Sequence, residues 1–357
     1  MTKDSYRVIG VMSGTSLDGI DMAQLTFTFA SGKWHFTIGN AQTVAYPEDW
    51  VNRLRNAVNL DLKSIATLDG SYTKLLSSAI SKFISDNNLT DIDAICSHGH
   101  TVLHQPQNGI TIQIGNRPEI ALLTNQKIVC DFRVQDVEMG GQGAPLVPIG
   151  DRLLFADYNY CLNLGGFSNV SFEDNDRRIA FDISPVNTML NKYANLVGKD
   201  YDDKGQIASV GNIIPELIEK LNSLPYYKTT WPKSLGMEFV NAEIFPLTDH
   251  YSADIPDLLH TFCEHIAIQT ESALPKKTGK MLITGGGAYH DFLIDRIKHH
   301  LPQMEIVIPD KKLLEFKEAL IFGLLGILKL RNQNNVLASV TGASQDHSSG
   351  RIFLPYD

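Results

Sequence analysis

This 357-residue sequence predicts a duplicated α/β fold, two domains with mixed sheets around an interdomain cleft. Three observations support that prediction. The chain is longer than one hydrophobic core usually serves. Each half opens with strand, glycine turn, strand and strand, and then alternates helix with strand. No short-period repeat is present, which removes a solenoid. The first domain is expected over 1–140, joined by the C-terminal segment 336–357, and the second over 141–335.

The elements follow from periodicity. Tyr6–Val11 alternates and is β-branched enough for a strand, and Ile20–Phe29 resumes with Ile, Leu, Phe and Thr, so the polar stretch between them closes a hairpin. Trp34–Val44 is a third extended run. Leu62–Phe83 has helical spacing, and strands follow at Asp93–Ser97, Thr111–Ile114 and Ile128–Cys130. The second half repeats the theme with strands at Tyr160–Leu164, Val170–Phe172 and Arg178–Ile183, then a helix over Val186–Leu196. Helices are predicted near Pro215–Asn222, Pro256–Ala273, Asp291–Leu301 and Leu313–Arg331, with strands at Lys280–Thr284 and Glu305–Ile308. Phe132–Gly150 carries four glycines and two prolines with little periodicity, and reads as a long functional loop.

Composition narrows the function. With 43% hydrophobic and 20% charged residues the chain is ordinary for a globular protein. A net charge of -9 argues against nucleic acid or an anionic membrane as main partner, and favours a small ligand. The first residues lack the apolar centre of a signal peptide, and the longest apolar run, Ala319–Leu328, is too short to span a bilayer, so a cytoplasmic location is expected. Four cysteines lie far apart, with neither disulfide nor zinc spacing.

The chemistry concentrates in Ile9–Asp21, where three glycines, three hydroxyls and two carboxylates sit between strands. Gly10, Gly14 and Gly19 allow a tight turn and close approach to an anion. Backbone amides around Leu17 can form an anion nest, Thr15 and Ser16 add hydroxyl donors, and Asp18 or Asp21 can hold Mg²⁺ through water. The plain alternative is a polar hairpin tip. No Gly-Lys pair is followed by Ser or Thr, and neither Gly141/Gly143 nor Gly285/Gly287 completes a dinucleotide fingerprint, which removes P-loop and Rossmann readings.

Two further glycine turns stand at strand ends. Gly165 and Gly166 mirror the first turn, and Gly285, Gly286 and Gly287 follow a strand and precede a helix, which suits backbone contact with a nucleotide. In the Phe132–Gly150 loop, Asp136 stands just before a glycine run and is either a general base or a loop cap. Asp131 and Arg133 read as a structural ion pair or loop anchor. His98 and His100 alternate at a strand end with no carboxylate nearby to complete a metal site, so they either hydrogen-bond a substrate or pack in the core. Arg117 and Glu119 do similar work or cap the next helix.

The three glycine turns, spread through two similar halves, resemble the actin, hexokinase and Hsp70 superfamily of ATP-binding folds. The whole chain then resembles the anhydro-N-acetylmuramic acid kinase family, a group of bacterial cell-wall recycling enzymes. That resemblance rests on Gly10–Asp21, Ser97–His104, Asp131-Phe-Arg133 with Asp136, and Gly140-Gly-Gln-Gly-Ala-Pro145. It continues through Asn163–Gly166, Pro232-Lys-Ser234, Gly285–Ala288, Glu318-Ala319 and Val340–Ala343. It implies ATP and Mg²⁺ as cofactors, Asp136 as catalytic base, Glu318 as an organiser of the site, and Gly14–Asp21 as an ATP-binding segment with Asp18 near the metal. Substrate contacts are expected from His98, His100, Arg133, Gly141, Gln142, Gly143, Asp182 and Asn187. The implied reaction opens a 1,6-anhydro bridge with water and phosphorylates O6, and a homodimer is implied too. Four positions depart from the family pattern: Ser184 and Val186 replace small flexible residues, His100 stands for glutamine and Asn116 for an acidic residue.

Overall fold

The computed structural model describes residues 3–251 and 254–356. The chain divides into two units, one formed by the chain up to Leu154 together with Phe316 onward, the other by Phe155–Glu315.

In the first unit, β1 (Ser5–Ser13), β2 (Ile20–Ala30) and β3 (Lys33–Val44) form an antiparallel meander. β4 (Ala94–Gln105) adds parallel to β1, β5 (Ile110–Ile114) folds back on β4, and β6 (Ile128–Cys130) runs parallel to β4. The C-terminal strand Arg351–Phe353 pairs antiparallel with β6. In the second unit, β7 (Tyr160–Leu164), β8 (Phe167–Asp174) and β9 (Arg177–Pro185) repeat the meander. β10 (Gly279–Thr284) then runs parallel to β7, and β11 (Met304–Val307) parallel to β10. The orders β3-β2-β1-β4-β6 and β9-β8-β7-β10-β11 coincide strand for strand. That coincidence is the duplication, and it gives the two mixed α/β sheets expected of the actin-like class.

Alternation along β1 explains how its sheet is covered. Ile9 and Val11 join the core beneath the helix Leu62–Asp86, which starts where the Asp61 carboxylate accepts the Ser64 N–H at 2.8 Å. Gly10 faces the opposite side, where a Cβ would overlap the Ala319 carbonyl oxygen. It therefore serves helix packing in mid-strand, and the expected part in an anion turn falls away. Gly323 and Gly326 let the same helix, Lys311–Leu330, settle on Leu25 and Cys96. All four cysteines are buried, and none forms a disulfide among the described residues.

The unit boundaries fall elsewhere than 140/141 and 335/336. The helix Val147–Leu154 lies in the first unit, with Gly150 against Ile321, and Lys311–Leu330 crosses from the second unit into the first at Phe316, whose φ of −114° breaks the helix. Phe132–Gly150 is also less irregular than expected, because it contains the short helix Val134–Glu138 and the start of Val147–Leu154. Five residues are too few to display a helical period. The helix Glu48–Asn56 has no counterpart in the sequence reading, although its buried Trp50 and Leu54 stand four apart.

Candidate functional site

The chemistry-bearing residues of the first unit gather around the ends of β4 and β6. β4 continues past Ser97 through a bulge at Gly99, whose φ of +73° shifts the register from Val11 opposite Ser97 to Ser13 opposite His100. The bulge sends the two imidazoles to different neighbours. His100 packs on Tyr72, and its Nδ1 lies 2.9 Å from the Ser13 hydroxyl, which continues to Tyr46 at 2.7 Å and on to Tyr72. His98 packs on Phe322, and its Nε2 accepts the Arg133 Nε–H at 2.9 Å. Burial lowers His100 to about 4, and burial reinforced by the Arg133 charge lowers His98 well below the ordinary range. Both rings are neutral at pH 7, which suits hydrogen bonding and core packing at once.

Arg133 does not pair with Asp131, which instead meets Arg351 at 3.1 Å. The Arg133 Nη1–H donates to the Gly143 carbonyl at 2.6 Å, so the guanidinium joins His98 to the glycine loop. Burial lowers it to about 10, with Glu318 and Asp136 opposing that shift, and it stays cationic. Near it, Gln113 Oε1 and both polar atoms of the Asn116 amide are buried without a hydrogen-bond partner among the described residues.

Asp136 lies in the Val134–Glu138 helix and is fully buried. Its Oδ2 accepts the Gly143 N–H at 2.6 Å and its Oδ1 accepts the Thr341 hydroxyl at 2.8 Å. His347 Nε2 stands 3.6 Å from Oδ1. Gly141 closes over the carboxylate, where a Cβ would overlap it, while Gln142 is exposed and donates its N–H to the Thr341 carbonyl at 2.8 Å. Glu318 is open to solvent on one side and crowded by protein on the others. That desolvation lifts its carboxyl above the ordinary range, opposed by Arg133 and reinforced by the like charge of Asp21. Asp21 accepts the Thr43 hydroxyl at 2.5 Å.

At the β1–β2 hairpin tip, Leu17 takes a φ of +64° and its N–H reaches the Gly14 carbonyl at 3.4 Å. Thr15, Ser16 and Asp18 are exposed. Gly19 is buried against the Val44 carbonyl, a packing position. Among the described residues no three metal-ligating side chains converge. One exposed carboxylate beside free hydroxyls nevertheless fits Mg²⁺ that keeps its water shell and is carried by phosphates.

The second unit brings its own glycine turns together. Asn163 on β7 is in register with Thr284 on β10, so Gly165–Gly166 and Gly285–Gly287 leave the sheet side by side. Gly166 and Gly286 are exposed. Asn187 begins the helix Asn187–Asn195 and ties the cluster, donating its backbone N–H to the Gly165 carbonyl at 3.1 Å and its amide N–H to the Leu164 carbonyl at 3.3 Å. Asp182 stands on β9 opposite Asn169, where its Oδ2 accepts the Leu235 N–H at 2.8 Å and burial raises its carboxyl. Ser184 and Val186 fill structural places. Ser184 pairs with the Ser168 hydroxyl at 3.1 Å, and Val186 is buried with a φ of −126°, so no glycine is required there.

Thr341 and His347 escaped the sequence reading as site residues. Thr341 belongs to the Val340–Ala343 motif, which carried the only available signal, and His347 belongs to no quoted motif.

The chain matches the family described as anhydro-N-acetylmuramic acid kinase over residues 6–355. It is 32% identical to the anhydro-N-acetylmuramic acid kinase of Actinobacillus pleuropneumoniae serotype 7, covering 99% of this chain and 100% of that one. It is 34% identical to the protein of the same name from Pseudomonas syringae pv. tomato, covering 97% and 98%. Among solved structures it bears a loose likeness to component A of (R)-2-hydroxyglutaryl-CoA dehydratase from Acidaminococcus fermentans, with a TM-score of 0.46, 13% identity and coverage of 91% and 99%. Matched end to end by both the family and these relatives, the chain belongs to the anhydro-N-acetylmuramic acid kinase family.

Proposed function

We propose that the chain opens 1,6-anhydro-N-acetylmuramic acid with water and phosphorylates O6 at the expense of ATP, with Asp136 as general base. The observation that carries this reading is a carboxylate oriented through both oxygens, beside a cationic Arg133, inside a chain that matches the kinase family along its length.

On this reading Asp136 accepts a proton as the water oxygen bonds to the anomeric carbon and the bond from that carbon to O6 breaks. The electron pair left on O6 forms the new bond to the γ-phosphorus, and the bond from that phosphorus to the ADP oxygen breaks. Mg²⁺, when bound near Asp18, supplies charge neutralisation to the phosphates. Thr15, Ser16 and the backbone from Gly14 to Asp21 contact those phosphates, and the exposed Gly166 and Gly286 accept the nucleotide without a side chain in the way.

Arg133, aimed by a neutral His98, the partnerless Gln113 Oε1 and the partnerless Asn116 amide offer the donors and acceptors a sugar needs. Glu318, whose raised carboxyl sits near Arg133, organises this polar group. The net charge of -9 favours the sugar over nucleic acid or an anionic membrane. Among the described residues no helix is long and apolar enough to cross a membrane. A cytoplasmic homodimer is the setting that the family resemblance suggests.

The test is ATP consumption with 1,6-anhydro-N-acetylmuramic acid beside N-acetylmuramic acid and N-acetylglucosamine. Turnover with the anhydro sugar alone is expected. Equal turnover with an open-ring sugar would point to an ordinary sugar kinase.

A further inference from the structure

We infer that Thr341 is a positioning residue that divides the labour of the two Asp136 oxygens, anchoring Oδ1 and leaving Oδ2 to take the proton. This rests on the reading of Asp136 as the base.

The direction of the Thr341 hydroxyl follows from its surroundings. The Ala343 N–H points at its oxygen from 3.4 Å, and its other acceptor, the Leu337 carbonyl, is at 3.5 Å. Asp136 Oδ1 at 2.8 Å is the better acceptor by distance and by charge. The two oxygens of Asp136 are therefore held differently. Oδ1 is bonded to a side chain 205 positions away, on a turn whose Gly342 sits at a φ of +78°. Oδ2 is bonded to the N–H of Gly143, within a stretch of backbone lined by Gly140, Gly141 and Gly143.

Full burial of Asp136 means that water reaches it only if part of this cover withdraws. Within that cover Gly143 is the part whose displacement would free Oδ2, at the cost of its bonds to Asp136 and to Arg133. When Gly143 withdraws, Oδ2 loses its donor and faces the incoming water, while Oδ1 keeps Thr341 and the carboxylate keeps its orientation. Thr341 also accepts the Gln142 N–H at 2.8 Å through its carbonyl, and the Met139 carbonyl accepts the Ser344 N–H at 3.1 Å. The C-terminal turn thus holds both the base and the two shoulders of the loop that covers it.

The experiment compares Thr341→Val, Thr341→Ser and Asp136→Asn with the double variant Asp136→Asn/Thr341→Val, using the full chain, ATP and the anhydro sugar. Thr341→Val should lower kcat about 10- to 100-fold, the usual worth of a hydrogen bond to a charged group, with KM for both substrates within about two-fold. Thr341→Ser should restore most of kcat. The double variant should be no slower than Asp136→Asn alone, because Thr341 has nothing left to position. If Asp136→Asn is inactive while Thr341→Val turns over normally, the positioning role is overturned and the base survives. If Asp136→Asn itself is active, the base reading fails instead. Equal losses in Thr341→Val and Thr341→Ser, with raised KM and lowered Tm, would mark a structural residue and overturn the inference. Should Thr341→Val fail to fold, Thr341→Ala removes the same donor and is judged by the same outcomes.

Discussion

The two units use one strand order for different purposes. The first surrounds its sheet ends with titratable groups: Asp136, Glu318, Arg133, His98 and His100. The second offers mainly backbone, with Gly165–Gly166 and Gly285–Gly287 set side by side by the β7–β10 register and braced by Asn187. A duplicated frame does not oblige duplicated chemistry, because the ends of the strands are free to diverge while the sheet stays packed. The comparison teaches that titratable groups and bare glycine turns can be divided between the halves of a duplicated frame, even where the β1–β2 tip of the first unit is proposed to reach the phosphates, and it can be broken by variants confined to one unit.

The largest expected effect belongs to the first unit. Asp136→Asn keeps the shape of the side chain but removes its basicity, and turnover should fall about 10²- to 10⁴-fold. ATP affinity, measured by titration calorimetry, should stay within about two-fold, since the nucleotide is assigned to other residues. A parallel loss of affinity would make Asp136 a structural or metal residue and collapse the division between the units.

His100 sharpens the comparison through stability. Buried and lowered to about 4, it is neutral in the folded chain but protonates in the unfolded chain below about 6.5. The unfolded state therefore binds more protons in that window. Its stabilising contribution is complete above about pH 6.5 and is lost as the pH falls toward about 4. The full loss is on the order of 3 kcal/mol. His100→Gln keeps a polar partner for Ser13 and cannot titrate, so urea unfolding from pH 7 down to pH 4.5 should show a shallower fall than the parent chain. His98 shifts in the same direction and leaves part of the slope in place. Identical slopes would mean that His100 is more solvated than its surroundings indicate.

Much of the frame was legible because strands and long helices announce their periods. Tyr160–Leu164 matches to the residue, and the likeness of the two strand-turn-strand openings predicts the duplication that the shared sheet order displays, though not the order itself. What escaped were elements too short to carry a period, such as Val134–Glu138, and contacts that sequence separation conceals, above all Thr341 against Asp136. Gly10 shows a third kind of loss. Its motif reads as part of an anion turn, yet the residue faces a helix backbone, and only the alternation of β1 distinguishes the two.

For the second unit, Gly286→Ala is the matching variant. An added Cβ would come only within 3.4 Å of the Asn187 amide, so the fold should tolerate it, while the exposed face offered to the nucleotide gains a methyl group. KM for ATP should rise about ten-fold, close to 1.4 kcal/mol, with kcat nearly unchanged. A kcat defect without a KM change would place chemistry in the second unit.

The smallest effect should come from the hairpin tip. Asp18 is exposed, and no three metal-ligating side chains converge among the described residues, so any Mg²⁺ it serves is held mainly by phosphates and water. Removing one carboxylate from such a loosely built site weakens it by a modest factor and leaves the rest of the water shell in place. Asp18→Ala should therefore raise the KM for ATP about three- to five-fold at low magnesium, on the order of 1 kcal/mol. Raising the magnesium concentration should recover most of that loss, because mass action compensates a weakened site. Kinetics across a magnesium series would decide the matter. An effect independent of magnesium would show that Asp18 acts on the nucleotide or the hairpin fold itself, and no effect at any concentration would return the β1–β2 turn to a polar tip, shifting phosphate binding onto the glycine turns of the second unit.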